Sequence, residues 1–278
     1  MSELYAARRM QLRDRVAGAG SAAALISRPA NVRYLTGCAP SGAALLLGPA
    51  IDVLLCGRPL SGDPAEGRPA DDVRVSVLPT RGGDPVVAGA DLAAKAGADS
   101  LAVEEHHLTV TRHRALSQVA PRLHLTDLAC AVEAQRLVKD DDEIACLRIA
   151  AEIADQALGE LLESILVGRT ERHLALELER RLVDHGADGP AFPTSVATGP
   201  NAGRPGHLPT DRRVEEGDFL SVCLGANYRG YRCEIGRTFV IGTTPRTGRS
   251  SCTISFSQPS APGARRWRRV WSAVRWTG

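Results

Sequence analysis

The chain has 278 residues, of which 44% are hydrophobic and 24% are charged, a composition typical of globular proteins and not of disordered ones. Its basic charge is concentrated in residues 245–278, which contain seven arginines and no acidic residue. Removing these seven from the 34 basic residues leaves 27 against 32 acidic residues in residues 1–244, so nucleic-acid binding by the body of the protein is not expected.

The cellular location and the redox state of the thiols are predicted from features that the sequence lacks. No run reaches the length of a membrane helix, and the first residues do not form a signal peptide. The seven cysteines include no CxxC pair and no spacing typical of disulfides. We therefore expect a cytoplasmic protein with reduced thiols and no membrane association.

Residues 1–130 predict an α/β arrangement. Helical periodicity indicates helices at 1–20, 84–95 and 112–119. Short apolar runs bounded by Gly and Pro indicate the strands of a mixed sheet, at 23–27, 31–37, 43–48, 51–56, 73–78 and 101–105. A loop rich in Pro, Gly and Asp is expected at 59–72. His106 and His107 follow the last strand, and we interpret them as solvated loop residues and not as metal ligands.

Residues 126–186 predict a series of helices. A first helix is expected to start at Thr126, and a long amphipathic helix covers 144–165, where apolar residues recur at steps of three and four. We interpret the acidic residues of the long helix as a solvated face. Thr170 is suited to cap the next helix, at 171–185, and Gly186 to end it.

The most informative stretch covers residues 217–242. Two β-rich runs flank residues 226–230, where Asn and Gly favour a hairpin turn. Because strand side chains alternate, folding the second run back brings Glu234 near Cys223. A thiol and a carboxylate form an unusual ligand pair for a single metal ion.

This stretch resembles the metal hairpin of the creatinase/aminopeptidase P family of metallopeptidases, which have the pita-bread fold. The family pattern is matched by Gly217, Asp218, Gly225, Gly230, Tyr231, Arg237, Thr238 and Phe239. The two positions at which the family has aspartate ligands hold Cys223 and Glu234, and Gly236 stands where the family has a threonine. The scaffold of the hairpin is thus similar, and its metal ligands differ.

Three further segments resemble the same family. Residues 31–37 are similar to its Asn-x-Arg-Tyr-Leu-Thr-Gly signature, residues 133–144 to its inter-domain junction, and residues 192–202 to its Phe-Pro strand and loop. The family has a histidine shortly after that loop, outside the metal shell, associated with substrate binding and proton transfer. Gly206 stands at that position here, and His207 follows one residue later, a displacement that reverses the side faced by a residue of an extended segment.

The resemblance implies a fold class and an activity. We expect an α/β creatinase-type N-terminal domain at 1–130, followed by a partial α+β pita-bread domain at 131–244 and an aberrant tail at 245–278. The family implies an Xaa-Pro aminopeptidase or dipeptidase that uses a divalent metal (Mn²⁺, Co²⁺ or Zn²⁺) and a peptide with proline at the second position. The candidate residues are Cys223 and Glu234 for metal and His207 for catalysis; a homodimer is a further expectation.

The tail is best interpreted as a frame-shifted end. Its composition changes abruptly, and it contains all three tryptophans of the chain. Back-translation with G/C-rich codons and a shift of one base converts residues 251–258 into an amphipathic helical sequence, which the family places after the hairpin. The family's remaining ligands, one His and two Glu, would then be missing. The other interpretation is an arm that binds nucleic acid or an anionic membrane.

Two hypotheses for function follow. In the first, the chain is a peptidase homologue with a degenerate metal site, weakly active or inactive, because an intact dinuclear site cannot be built from this chain alone. In the second, it is a non-catalytic module that holds peptides or proteins. Two interpretations are open for Cys223 and Cys233. They could form a disulfide or redox pair, but thiols buried by packing are favoured.

Overall fold

The computed structural model describes residues 2–48, 52–60, 67–78, 83–164 and 166–242. The chain divides into two compact units, Met1–Ile144 and Ala145–Gly278, whereas the sequence placed the domain boundary at 130/131. The predicted tail at 245–278 and part of the predicted loop at 59–72 lie outside the described residues. Among the described helices, none is long and apolar enough to cross a membrane.

The first unit is built on a six-stranded mixed sheet. In chain order its elements are α1 (Ser2–Gly18), β1 (Ala23–Ile26), α2 (Pro29–Thr36), β2 (Ala44–Leu47), β3 (Asp52–Cys56), β4 (Arg74–Val77), α3 (Pro85–Lys95), β5 (Ser100–Val103), α4 (Val110–Val119), β6 (His124–Asp127) and α5 (Ala131–Arg136). The strand order is β4-β3-β2-β1-β5-β6. Strand β2 pairs antiparallel with β1 and with β3, and the pairings β3–β4, β1–β5 and β5–β6 are parallel.

Helices cover both faces of this sheet, which explains its continuous apolar strands. Residues on one face of the strands pack with α1, α2 and α5, and residues on the other face pack with α3 and α4. Every residue of β1 and β2 is buried, because neither face reaches water. The mixed sheet predicted from the short apolar runs is therefore confirmed.

Two predictions for this unit are wrong. Residues 31–37 do not form a strand: residues 31–36 lie in α2, which begins at Pro29, and Gly37, with φ of 78°, caps its end. The apolar residues at 32 and 35 are both buried, and this three-residue step is helical; a strand accommodates it only if both of its faces are buried. Residues 126–127 do not start a helix: they end β6, which pairs with β5, a long-range contact that local pattern does not reveal.

The second unit packs two helices against two small sheets. Its elements are α6 (Asp141–Leu162, whose first turn precedes the boundary), α7 (Glu171–Asp184), β7 (Gly189–Pro190), β8 (Ser195–Thr198), a 3-10 helix (Gly199–Gly203), β9 (Phe219–Leu224), β10 (Ala226–Tyr228), β11 (Tyr231–Arg232) and β12 (Ile235–Val240). The sheets have the orders β12-β9-β8 and β11-β10-β7. Apolar residues of α6, α7 and the strands form one core, and Thr170 caps α7 as predicted, accepting from the His173 amide.

The predicted hairpin is present, and its turn lies at Arg229–Gly230. Both residues have positive φ, 51° and 84°, as a two-residue turn between twisted strands requires. The ladder runs from β9 to β12 in one sheet and from β10 to β11 in the other. Between the two ladders Gly225 lies so close to Cys233 that a Cβ at this glycine would come 2.1 Å from the Cys233 carbonyl oxygen. The hairpin therefore passes from one sheet to the other at a point where only glycine fits.

Candidate functional site

Cys223 and Glu234 lie together at one end of the β9–β12 ladder. The Cys223 Sγ donates a hydrogen bond to Glu234 Oε1 over 3.4 Å. The juxtaposition follows from the register, because Leu224 pairs with Ile235 and Glu234 comes directly before it. The contact agrees with the geometry predicted from the hairpin; the assignment of both residues as metal ligands remains a prediction.

The environment of Cys223 keeps its thiol protonated. Burial raises the pKa of this thiol, and its hydrogen bond to Glu234 and the negative charge of that carboxylate raise it further. A metal ion is bound by thiolate and not by thiol. The carboxylate that would share the ion is thus also the group that opposes formation of the sulfur ligand.

Open space surrounds the thiol on its face of the sheet. Ser195 of β8 and Gly236 of β12 are the register partners of Cys223 on its two sides, so all three occupy the same face. A Cβ added at Gly236 would meet no atom within 4 Å. Leu220 and Val222 point to the opposite face, where they are buried in the core. This face of β9 therefore offers room for a ligand, and the hydroxyls of Ser221 and Thr238, 3.4 Å apart, lie on it as well.

Glu171, at the start of α7, is the most heavily hydrogen-bonded carboxylate in this part of the structure. Its side chain is fully buried. Oε1 accepts from the amide and hydroxyl of Thr198 at 2.7 and 3.0 Å and from Asn201 Nδ2 at 3.0 Å. Oε2 accepts from the amide and hydroxyl of Thr210 at 2.9 and 2.7 Å, and His207 Nε2 lies 2.8 Å away. One carboxylate thus ties the end of β8 to the loop that carries His207.

These donors keep Glu171 ionised. Burial alone would raise the pKa of a carboxyl group, but the hydrogen bonds from Thr210, Asn201 and His207 outweigh it and lower the pKa from 4.5 to about 2. An ionised carboxylate can only accept hydrogen bonds, so the Nε2 of His207 must carry a hydrogen. Glu171 could not be identified from the sequence, because an acidic residue in the first turn of a helix is common and its burial is not visible in the local pattern.

His207 is directed at Glu171. Its side chain is 9% exposed, and its carbonyl oxygen accepts from Ser195 Oγ at 3.3 Å. Ser195 also pairs with Cys223, so the backbone of His207 is connected to Cys223 through Ser195. The ring of His207 instead contacts Glu171 through Nε2. The structure therefore brings together Cys223 and Glu234, and places the ring of His207 in a separate network.

An ion pair closes the base of the same loop. Arg212 binds both oxygens of Asp218, with Nη1 2.5 Å from Oδ2 and Nη2 3.2 Å from Oδ1, and Nη1 also donates to Thr198 Oγ1 at 2.5 Å. Asp218 is one of the residues that match the family pattern in sequence. The bidentate pair and the buried Glu171 together give residues 198–218 a defined shape.

The described residues do not complete a metal centre around Cys223. Two donor groups meet there, one of them a protonated thiol. Within the described ranges, the one group of three or more His, Cys, Asp or Glu side chains close enough to share an ion is His106, Cys130 and Glu133, in the first unit. A dinuclear site of the kind that the family resemblance implies does not fit this donor set.

Cys233 is engaged in packing. Its Sγ donates to the Ala150 carbonyl oxygen at 3.1 Å and accepts from the Ala226 amide at 3.2 Å. Cys223 and Cys233 are both free thiols. This arrangement supports the packing interpretation over a disulfide between the two.

Comparisons with known proteins match most of the chain. Residues 8–138 match the creatinase/prolidase N-terminal domain, and residues 145–254 match metallopeptidase family M24. An uncharacterized peptidase of Bacillus subtilis is 31% identical over 226 residues, which are 78% of this chain and 60% of that protein. A Xaa-Pro dipeptidase of Pyrococcus horikoshii is 38% identical over 108 residues, 39% of this chain and 31% of that protein.

A solved structure shares the fold. The X-Pro aminopeptidase from Thermotoga maritima superposes with a TM-score of 0.75 at 27% identity, covering 86% of this chain and 68% of that one. The matched part of the chain spans about three fifths of the length of the Bacillus subtilis relative and about a third of the length of the Pyrococcus horikoshii relative.

Proposed function

Because the chain belongs to the creatinase/aminopeptidase P-like family of metallopeptidases, we propose that it is an Xaa-Pro peptidase homologue that is weakly active or inactive in this form. The fold class predicted from the sequence is confirmed: a creatinase-type N-terminal domain is followed by part of a pita-bread domain. The family depends on a divalent metal. Substrate class and level of activity are the parts we propose.

The Cys223–Glu234 contact carries the proposal. These residues stand where the family resemblance places two aspartate ligands, and they hydrogen-bond to each other. Glutamate reaches about 1.5 Å further than aspartate, a large error against ligand distances of about 2.0–2.2 Å. Thiolate also prefers softer ions than the carboxylate ligands of this family select. Both changes work against the same site.

The test is release of proline from Xaa-Pro dipeptides in the presence of excess Mn²⁺. We expect no release above that of a blank without protein. Release at a rate typical of an enzyme would contradict the proposal. The double variant Cys223→Asp/Glu234→Asp restores the family residues: Mn²⁺-dependent activity in this variant alone would show that these two positions limit the activity.

The non-catalytic binding module is the second candidate, and the Glu171 network favours it. The network shapes the loop around His207 by hydrogen bonds alone, so the form of this loop does not depend on a metal. Calorimetric titration with Xaa-Pro peptides, with and without EDTA, separates the candidates. Binding that EDTA does not change would support the module, and absence of binding to any such peptide would count against it.

A further inference from the structure

A thiol, an imidazole and a carboxylate form a chain of contacts in the first unit. Cys130 Sγ lies 3.7 Å from His106 Nδ1, and His106 Nε2 lies 3.1 Å from Glu133 Oε1. His106 follows β5, and Cys130 and Glu133 lie at the start of α5. His106 was predicted from the sequence to be a solvated loop residue. Its ring is exposed, and each of its two ring nitrogens has a partner. None of these residues belongs to the site in the second unit.

The arrangement of the ring favours a proton relay over a metal site. The two nitrogens of His106 face different groups, Nδ1 the thiol and Nε2 the carboxylate. A metal ion uses one nitrogen of a histidine, so an ion that binds both Cys130 and Glu133 would require the ring to turn. Glu133 Oε1 also accepts from the Arg28 guanidinium at 3.0 Å, a positive charge that opposes a cation there. A nucleophile, a base and a group that orients the base are the parts of an activated thiol.

Glu133 is held in place as a carboxylate. Its Oε1 accepts from Asn31 Nδ2 at 2.7 Å as well as from Arg28. Burial opposes ionisation, but these hydrogen bonds and the charge of His106 outweigh it and lower the pKa of Glu133. Asn31 is itself buried and bonded to the buried Glu104 at 2.6 Å, so the anchor is part of the folded core. The carboxylate can therefore orient the ring of His106.

The backbone presents the thiol to solvent. Ala129 and Cys130 both have positive φ, 49° and 54°, a conformation that costs free energy for residues other than glycine. Cys130 is exposed, whereas Cys38 and Cys56 of the same unit are buried. The strained turn after β6 thus places one cysteine beside its base at the surface.

We propose that Cys130 is a reactive thiol that forms mixed disulfides with small-molecule disulfides, with His106 as its base and Glu133 as a positioning residue. His106 Nδ1 takes the thiol proton as Cys130 Sγ attacks one sulfur of the disulfide. A new S–S bond forms to that sulfur, the old S–S bond breaks, and the departing thiolate takes the proton from His106. The sum is one protein thiol and one disulfide converted into one mixed disulfide and one free thiol.

The test measures the rate of modification of each cysteine by glutathione disulfide. Aliquots are quenched by alkylation, and mass spectrometry of peptides follows all seven cysteines separately. We expect Cys130 to react faster than Cys146 and Cys223, which are partly exposed. Cys130 reacting no faster than these two would overturn the proposal, and this comparison needs no variant.

Variants then test the base. We expect His106→Ala to slow Cys130 by about tenfold or more, in line with general base catalysis, and free imidazole to restore part of the rate. His124→Ala is the matched control, because His124 is an exposed histidine of the same unit. If His106→Ala does not fold, His106→Gln replaces it. An unchanged rate in a folded His106 variant would overturn the role of His106.

Glu133→Gln tests the positioning residue. This variant keeps the shape and removes the charge, so the rate of Cys130 should fall at neutral pH. The rate should be partly retained in Glu133→Asp, which keeps the carboxylate; Arg28 is the other charged group that faces Glu133. An unchanged rate in Glu133→Gln, or a loss in Glu133→Asp as large as in Glu133→Gln, would contradict the role of Glu133.

Discussion

At the scale of single residues, Glu171 is a buried carboxylate whose pKa is strongly lowered by hydrogen bonds. A buried carboxylate is unfavourable unless donors surround it, and here each oxygen is fully engaged. The donors come from β8, the 3-10 helix and the loop before β9, so the charge organises three segments at once. We therefore expect this residue to matter more for stability than any exposed ion pair of the unit.

Replacing Glu171 by Gln removes the negative charge. It also places an NH₂ group, which can only donate, where the neighbouring groups themselves donate hydrogen bonds. The pKa of Glu171 is about 2 in the folded protein, against an ordinary value of 4.5. The lowered pKa means that its contribution, about 3 kcal/mol, is present above about pH 4.5 and is lost as the pH falls toward 2. Urea unfolding should show a less stable variant at neutral pH, and a difference from the unmodified protein that shrinks across this range.

The control for this experiment is Glu152→Gln. Glu152 is exposed on α6, so the same chemical change there should alter the free energy of unfolding by no more than about 0.5 kcal/mol. If Glu171→Gln and the unmodified protein lose stability in parallel as the pH falls, Glu171 does not titrate as described.

At the scale of elements, the hairpin depends on close packing at one glycine and not at another. Gly225 lies against the Cys233 carbonyl and the ring of Phe192. A Cβ added at residue 225 would come within 2.9 Å of that ring. Gly236, on the facing strand, has nothing within 4 Å. The contrast separates the effect of space from the effect of removing a glycine.

Gly225→Ala and Gly236→Ala form a matched pair. The first adds a methyl group where backbone must move, and we expect a loss of about 3 kcal/mol in the free energy of unfolding. The second should change this quantity by about 0.5 kcal/mol or less. Urea unfolding of both variants measures the difference. Equal stability of the two variants would contradict the close packing of the backbone at Gly225.

Element type was predictable wherever one period explained the apolar residues. Helices α6 and α7 and strand β9 follow their patterns, since burial on one face imposes a single period. Segment 31–37 was assigned wrongly, because buried apolar residues at 32 and 35 suit both a helix and a strand that is covered on both faces. The edge strand β6 was missed because its pairing with β5 involves residues 24 positions apart, such as Ser100 and His124.

At the scale of the whole molecule, the chain keeps a family scaffold and lacks a family metal site among its described residues. A metal that binds the folded state raises its stability, by about 2.7 kcal/mol at a hundred times the dissociation constant. The pair at Cys223 and Glu234 offers two donors, one protonated. We therefore expect the scaffold to be stable without metal.

The melting temperature should be the same in EDTA and in excess Mn²⁺. Mn²⁺ is the suitable probe because the Cys130–His106 group, with its soft donors, favours other ions. A rise of several degrees with Mn²⁺ would show that the folded protein binds the ion and would contradict this expectation. Thermal unfolding followed by circular dichroism in both buffers makes the comparison.

Local sequence was sufficient for the family, because several motifs resemble it, and for most elements, because they follow from periodicity. It was also sufficient for the contact between Cys223 and Glu234, which follows from a short hairpin register. The surroundings of Glu171 and the Cys130–His106–Glu133 group could not be derived in this way. Their members are 24 to 39 residues apart and meet only when separate strands, helices and loops pack. A local pattern reports which face of an element is buried; which polar group meets it there depends on how distant segments are folded together.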